Sequence, residues 1–249
     1  MIRILLLVLL YLSSLSAFDF KKMSADYDVG FGVFGNVGVV NAKITQEGST
    51  YKIKVVAKAK GLAAVLSNNR EEIYESIGEI KNGNLLPRLF IKRKTRGAKT
   101  DIKRYFFNHK NKNVELRVTK VRGKKRTDTK KKLDYYAEND ILTLFFNLKN
   151  ILNDFKVKEP TVLYAVGANR KDGKIDIFSP KDKQLDMIVN LLGVNENIIV
   201  AIINQKIFSS ARGELYMNLN DKGICTKAIL KDVLLFGDIR GEIKRFKIR

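Results

Sequence analysis

The sequence predicts a mainly β protein: a curved antiparallel sheet, or a partly closed β-barrel, of about ten to twelve strands with two α-helices packed on it. Short segments with a period of two recur along the chain, and Gly or Asn turns separate them. Only two segments have helical spacing, and strands and helices do not alternate as they do around a parallel sheet. The 249 residues, 45% of them hydrophobic, exclude a disordered chain and can build one large core.

The first residues predict an export signal. Arg3 precedes the apolar run 4–12, and the small residues Ser14, Ser16 and Ala17 follow it. The run is about half the ~20 residues that span a bilayer, so a cleaved signal peptide over 1–17 is favoured over an uncleaved anchor. Cleavage after Ser16 and cleavage after Ala17 both fit. We therefore expect a single mostly β domain over 18–249, exported to the periplasm if the source is a Gram-negative bacterium.

The first half of the chain predicts a series of antiparallel strands. Residues 27–33 and 51–60 alternate apolar with polar or glycine residues, and a short apolar turn or helix follows at 62–66. Residues 70–80 end at Asn82-Gly83-Asn84, which is a hairpin signal. Further strands are predicted at 89–91, 102–107 and 114–121. The basic segment 122–132 has no apolar period, and we expect it to be a mobile loop.

Two helices interrupt the strands. Asp140 is a good N-cap for a helix over 141–152, where apolar residues recur at helical spacing. Ser179-Pro180 predicts the start of a second helix over 181–192, and Gly193 predicts its end. The remaining strands are predicted at 162–167, 174–178, 198–208, 213–219, 224–236 and 241–248.

Charge is concentrated in one stretch of the chain. The sequence has 47 Lys and Arg against 26 Asp and Glu, a net charge of +21, and residues 92–132 contain 18 basic against three acidic residues. For an exported protein this favours anionic membrane or cell-wall surfaces over nucleic acid. The alternative is that the lysines only solvate a sheet face and a loop. The candidate anion-binding residues are Lys124, Lys125, Arg126, Lys130, Lys131 and Lys132.

No motif predicts an enzyme, a metal site or a cofactor. Residues 30–35 match the dinucleotide pattern G-x-G-x-x-G, but a strand rather than a helix follows them, so bends in a curved strand are the better interpretation. His109 lies in a polar hairpin tip, where we expect nothing to desolvate it or hold it. Cys225 has no His neighbour to activate it, and a buried or idle thiol is expected.

The leading functional hypothesis is a non-enzymatic protein that binds a hydrophobic or amphipathic, lipid-like ligand. The apolar faces of three predicted strands would line a cavity inside the curved sheet. A structural or scaffold envelope protein that contacts cell-wall polymer or a protein partner is the alternative, and an envelope hydrolase is a third class. The cavity candidates are Tyr27, Val29, Phe31, Ile53, Val55, Leu230, Leu234 and Phe236.

The order of features resembles the exported bacterial proteins grouped as domain of unknown function 3108. The resemblance rests on an export signal and five short motifs spread over most of residues 26–249. It implies a periplasmic, largely β fold without an established activity, so it assigns no site residues. Thr143 stands where the family usually has Ser, which keeps the hydroxyl. The motifs are Tyr27-x-Val29-x-Phe31, Gly61-Leu62, Gly83-x-Leu85-x-Pro87-x-x-Phe90, Tyr105-Phe106-Phe107 and Asp140-Ile141-Leu142-Thr143-Leu144.

Overall fold

The computed structural model describes residues 21–152, 155, 157, 159–169, 171–203, 213–233 and 237–249. Within these residues, fifteen strands form one sheet and three α-helices accompany it. The strands are β1 Lys22–Phe31, β2 Asn36–Glu47, β3 Thr50–Ala59, β4 Glu71–Lys81, β5 Asn84–Arg96, β6 Lys99–Asn108, β7 Asn113–Arg122, β8 Lys125–Lys132, β9 Asn139–Asp140, β10 Thr161–Val166, β11 Lys174–Phe178, β12 Ile198–Ile203, β13 Gly213–Leu219, β14 Cys225–Val233 and β15 Gly237–Ile248. The helices are α1 Gly61–Leu66, α2 Ile141–Leu152 and α3 Asp182–Leu192, and a 3₁₀ turn covers Gly32–Phe34.

The sheet is a meander in which the first and last described strands, β1 and β15, pair with each other near the middle. Its strand order is β8-β7-β6-β5-β4-β3-β2-β1-β15-β14-β13-β12-β11-β10-β9, with β1 antiparallel to both β2 and β15. All neighbouring pairs are antiparallel except β9 and β10, which run parallel. The sheet is open, because β8 and β9 lie at its two edges.

The mainly β class is confirmed, and the strand count is a correction. Fifteen strands replace the predicted ten to twelve, and the sheet is not closed into a barrel. The short apolar segment 62–66 lies within α1, which makes a third helix. The interpretation of 122–132 as a loop is wrong, since Lys125–Lys132 forms β8 and pairs along its whole length with β7.

The sheet curls around α2. Phe90 of β5 and Val166 of β10 belong to one hydrophobic cluster, although their strands stand far apart in the strand order. A Cβ placed on Gly167, which follows β10, would lie 2.7 Å from the Phe90 ring. The face that surrounds α2 is called here the concave face, and the opposite one is the outer face.

The helices cover different faces. Leu144, Leu148 and Leu152 of α2 are buried against the concave face of β10–β13. Ile188 and Leu192 of α3 pack on the outer face of β12–β14. Strand β12 is therefore buried on both faces, which explains its continuous apolar sequence.

The predicted helix over 141–152 is confirmed to the residue, whereas the start of α3 differs. The helix begins at Asp182, and no side chain caps it. Ser179 instead uses its hydroxyl to accept a bond from the Val157 amide at 2.9 Å and to donate to the Phe155 carbonyl at 3.1 Å. Gly193 ends the helix in the left-handed conformation, as predicted.

Candidate ligand-binding face

A buried polar network fixes α2 against the concave face. The Ser76 hydroxyl donates to the Asp140 carboxylate at 2.6 Å and lies 3.0 Å from the Tyr51 hydroxyl. The other carboxylate oxygen of Asp140 accepts the amides of Leu142 and Thr143 at 2.8 and 3.1 Å. Burial raises the pKa of Asp140 to about 6, against the opposing effect of these hydrogen bonds. The N-cap predicted at Asp140 is therefore confirmed, and the carboxylate also ties the helix to the sheet.

Two further side chains hold α2 in place. The Thr143 hydroxyl accepts the Asp140 amide at 2.9 Å, which completes a capping box. The Asn147 side chain accepts a hydrogen bond from the Leu85 amide at 2.9 Å and donates one to the Leu85 carbonyl at 3.0 Å. Its amide group therefore pairs with β5 as the backbone of a neighbouring strand would. Neither Ser76, Tyr51 nor Asn147 was singled out by the sequence, because their partners are distant along the chain.

These contacts also set the direction of α2. The helix starts beside Ser76, near the middle of β4, and ends beside the β4–β5 turn, where Asn150 donates to the Gly83 carbonyl at 3.0 Å. Concave-face residues nearer the opposite end of β4, namely Tyr74 and Glu72, lie beyond the N-terminus of α2. The part of the concave face on that side is called here the upper concave face.

One half of the upper concave face is apolar. The strand registers place Phe31 beside Ile239, Ile239 beside Leu230, and Leu230 beside Leu215, in one row across β1, β15, β14 and β13. A second row runs from Tyr27 through Val40 to Ala57. All of these side chains are half-buried.

The structure places the described cavity candidates on the concave face, and all but Ile53 lie in its upper part. Tyr27, Val29 and Phe31 alternate along β1 toward the concave face, and Val55 of β3 and Leu230 of β14 share that face with them. Ile53 lies lower, fully buried in the core below Val55. Leu234 and Phe236 lie outside the described residues. Burial raises the pKa of Tyr27, helped by the nearby Cys225, so its hydroxyl stays neutral at physiological pH.

The other half of the upper concave face is basic. Lys92 of β5 and Lys103 of β6 stand directly opposite each other in the strand register. The Lys92 ammonium lies 4.9 Å from the centre of the Tyr74 ring, which is also on the concave face. Like charges at opposed positions of an antiparallel pair repel each other. The two half-buried lysines therefore concentrate positive charge at one place on the concave face.

An acidic side chain sits among these cations. Glu72 accepts a hydrogen bond from the Tyr74 hydroxyl and pairs with Arg70, and its carboxylate lies 3.5 Å from the Lys94 ammonium. Burial raises the pKa of Glu72, but the Tyr74 bond and the Arg70 charge outweigh it and bring the pKa to about 2. Burial, followed by the Arg70 charge, lowers the pKa of Lys94. Glu72 is therefore fully ionised, and it orders the basic side chains around it.

A protein-family model matches most of the chain. Residues 26–207, from within β1 to just past β12, match the family described as protein of unknown function (DUF3108). The chain belongs to the DUF3108 family. No curated protein and no solved structure matches it.

Two of the DUF3108 motifs of this chain, 83–90 and 140–144, lie where the sheet meets α2. Leu85 is the backbone partner of Asn147, and Phe90 contacts Gly167 across the curled sheet. Asp140 and Thr143 form the capping box, so the hydroxyl kept at position 143 has a structural role. These two motifs therefore fix the position of α2 on the sheet.

The predicted anion-binding residues of this DUF3108 chain do not share one face. On the edge strand β8, Arg126, Lys130 and Lys132 alternate with Lys125 and Lys131 across the two sheet faces, and Lys124 lies in the β7–β8 turn. Arg126 pairs with Asp128 at 2.7 Å, and Lys130 pairs with Glu115 at 2.8 Å. All eight residues of β8 are exposed. This arrangement fits the protection of an open sheet edge, where charged side chains oppose pairing with another strand.

The remaining singled-out residues have structural surroundings. His109 is held, contrary to expectation: its Nε2 lies 2.6 Å from the Pro87 carbonyl and its Nδ1 lies 2.8 Å from the Tyr136 hydroxyl. It ties the β6–β7 hairpin to β5 and to the segment before β9. Burial raises the pKa of the Cys225 thiol to about 12, so it is not a nucleophile at neutral pH. Gly32 and Gly35 have positive φ in the 3₁₀ turn between β1 and β2, which agrees with a bend rather than a nucleotide loop.

The described part of the DUF3108 chain also has surface pockets. A pocket of about 270 Å³ is bordered by Asp26, Asp28, Lys58 and Lys244, and another of about 420 Å³ lies between 193–197 and 218–221. Among the described residues, no cluster of His, Cys, Asp and Glu could hold a metal ion. No helix in the described ranges is both long and apolar enough to cross a membrane.

Proposed function

We propose that this chain is a non-enzymatic protein of the cell envelope that binds an anionic amphipathic ligand of the lipid class on its upper concave face. The apolar part of the ligand lies along the rows through Tyr27 and Phe31, and its anionic group lies at Lys92 and Lys103. The observation that carries the proposal is the in-register lysine pair beside an apolar strip on one curved face.

Charge and burial support this choice of ligand. A half-buried cation pair is more weakly screened by salt than surface lysines, so it attracts an anion more strongly. The adjacent half-buried valine and aromatic side chains gain about 25 cal/mol for each Å² of apolar surface that a ligand covers. A purely polar anion would not use the apolar strip, and a neutral hydrocarbon would not use the lysines.

The export signal predicted at residues 1–17 supports the location. An exported protein meets phospholipids, lipopolysaccharide and fatty acids, all of which combine acyl chains with acidic groups. We propose the periplasm as the compartment, because the family resemblance and the signal pattern agree on it.

Titration of the purified chain with a fluorescent long-chain fatty acid tests the proposal. The double variant Lys92→Gln/Lys103→Gln removes the concave pair, and Lys43→Gln/Lys54→Gln removes a matched in-register lysine pair from the outer face. We expect the concave variant to bind about tenfold or more weakly, as loss of a partly desolvated ion pair implies, and the outer variant to bind as the parent does.

Two results would contradict the proposal. One is equal affinity of the parent and the concave variant. The other is an equal loss in both double variants, since it would show that only net charge attracts the probe. Native mass spectrometry of the same samples gives the stoichiometry, for which one ligand per chain is expected.

A further inference from the structure

The ends of several strands form a continuous border of the upper concave face. This border, called here the rim, comprises 31–37, 58–70, 96–99 and 122–125. Backbone hydrogen bonds connect its parts: Lys60 to the Val37 carbonyl at 2.8 Å, Gly97 to the Asn68 carbonyl at 2.9 Å, and Gly123 to the Ala98 carbonyl at 3.3 Å. The rim is thus one surface and not a set of separate loops.

The most exposed large apolar side chains in the described chain are on the rim. Leu62, Val65 and Leu66 of α1 are 76%, 74% and 83% exposed, and Phe34 of the 3₁₀ turn is 58% exposed. Residues at positions i, i+3 and i+4 share one helix face, so α1 presents its large side chains to solvent and its two alanines toward the sheet. This is the reverse of the usual orientation of a surface helix.

The rim also has a positive net charge. Its residues 31–37, 58–70, 96–99 and 122–125 contain eight Lys or Arg and no Asp or Glu. Three acidic residues lie just outside the rim and pair with rim residues: Glu71 with Lys58, Glu72 with Arg70, and Asp101 with Arg122. Exposed apolar tips surrounded by basic side chains are complementary to a bilayer whose surface is anionic.

An apolar path leads from the rim to the concave face. The rings of Phe34 and Phe31 stack with centres 6.3 Å apart, and Phe31 continues into the row through Ile239 and Leu230. An acyl chain leaving a membrane at the rim would meet this row first.

We infer that the rim is a membrane-docking surface, in which α1 and Phe34 insert among the lipids of an anionic bilayer and the basic rim residues contact phospholipid head groups. Docking in this way points the upper concave face at the membrane. Insertion needs only the rim, whether or not the concave face holds a ligand.

A single tryptophan tests where the bilayer is met, because the chain has no natural Trp. Leu66→Trp reports from the rim, and Met187→Trp on α3 is the control at another exposed apolar residue. With vesicles of mixed phosphatidylcholine and phosphatidylglycerol, we expect the tryptophan emission at position 66 to shift to shorter wavelength and to be protected from quenching by iodide. We expect neither effect on the tryptophan at position 187. No shift at position 66, or the same shift at both positions, would overturn the inference.

A second set of variants separates insertion from general attraction. In the Leu66→Trp background, Leu62→Ser with Val65→Ser should weaken vesicle binding about tenfold or more, since each side chain loses its apolar transfer energy. Lys124→Gln/Lys125→Gln at the rim end of β8 should weaken binding, whereas Lys131→Gln/Lys132→Gln at its far end should not. Equal weakening by both lysine pairs would overturn docking at the rim. The fatty-acid titration described above is made without vesicles, so it can fail or succeed independently.

Discussion

At the scale of single residues, one buried carboxylate organises the contact between helix and sheet. Asp140 caps α2 and accepts a bond from Ser76, yet its burial costs free energy when it is ionised. Its pKa is about 6 in the folded protein, and the unfolded value is the ordinary 3.8. The folded state therefore binds the proton more tightly than the unfolded state does.

The sign of this shift gives a pH prediction. Ionised Asp140 destabilises the fold, so the parent loses stability as the pH rises from about 4 to about 6, by about 3 kcal/mol in all. Asp140→Asn removes that contribution. The difference in unfolding free energy between parent and variant, measured by urea unfolding, should change by about this amount between pH 4 and pH 7. A pH-independent difference would show that Asp140 does not titrate in this range.

A glycine is required at position 78 of β4, against which the Tyr51 side chain packs. A Cβ on Gly78 would lie 2.0 Å from the Leu86 carbonyl oxygen and 2.8 Å from the hydroxyl of the buried Tyr51. We expect Gly78→Ala to lower the free energy of unfolding by about 3 kcal/mol or more, since backbone must move. Gly241→Ala is the matched control, because a Cβ there meets no atom within 4 Å. Similar stabilities for the two variants in urea unfolding would contradict this assignment.

At the scale of elements, the edge strand β8 explains much of the basic segment. Its charged side chains point to both faces of the sheet, and backbone hydrogen bonds pair it with β7. A two-residue turn connects the two strands and begins with Gly123 at φ 59°. A glycine at the first position of such a turn is typical of a tight hairpin. Gly123 was therefore the available sequence signal for a hairpin. The lysine run obscured this signal, because the run has no apolar period that would indicate a strand.

We expect the lysines of β8 to keep the sheet monomeric at this edge. Replacing Lys130, Lys131 and Lys132 with Thr should cause concentration-dependent self-association, since an uncharged open strand pairs readily with another edge. Analytical ultracentrifugation measures the effect. The control variant replaces Lys52, Lys54 and Lys58 of the inner strand β3 with Thr. It removes the same charge without changing an edge strand, and it should remain monomeric. Association of both variants would point to lost net charge as the cause.

Other elements show which features the sequence could predict. The helix over 141–152 was predicted because its cap and its apolar spacing are local, and β3 was predicted because its alternation is regular. Ser76 and Asn147 were missed because their partners lie 64 and 62 residues away in the sequence. The lysine pair at 92 and 103 needed the register of β5 and β6, which the sequence does not reveal.

At the scale of the whole molecule, α2 fills one end of a curled sheet and leaves the concave face at the other end to different chemistry. That face joins an apolar strip on β13–β15 and β1–β3 to a basic strip on β5 and β6. The rim adds exposed apolar and basic groups at the same end. These three features together suggest a protein that meets a membrane at its rim and holds an anionic amphiphile behind it.

Photo-cross-linking of an anionic lipid tests this account most directly. A fatty acid with a diazirine in its acyl chain is bound to the full chain, irradiated, and its adducts are mapped by mass spectrometry. We predict adducts on Val29, Val40 and Val55 of the upper concave face, with loss of the adducts when excess unlabelled fatty acid competes. Adducts confined to the outer face or to α3, or adducts that do not compete, would contradict binding on the concave face.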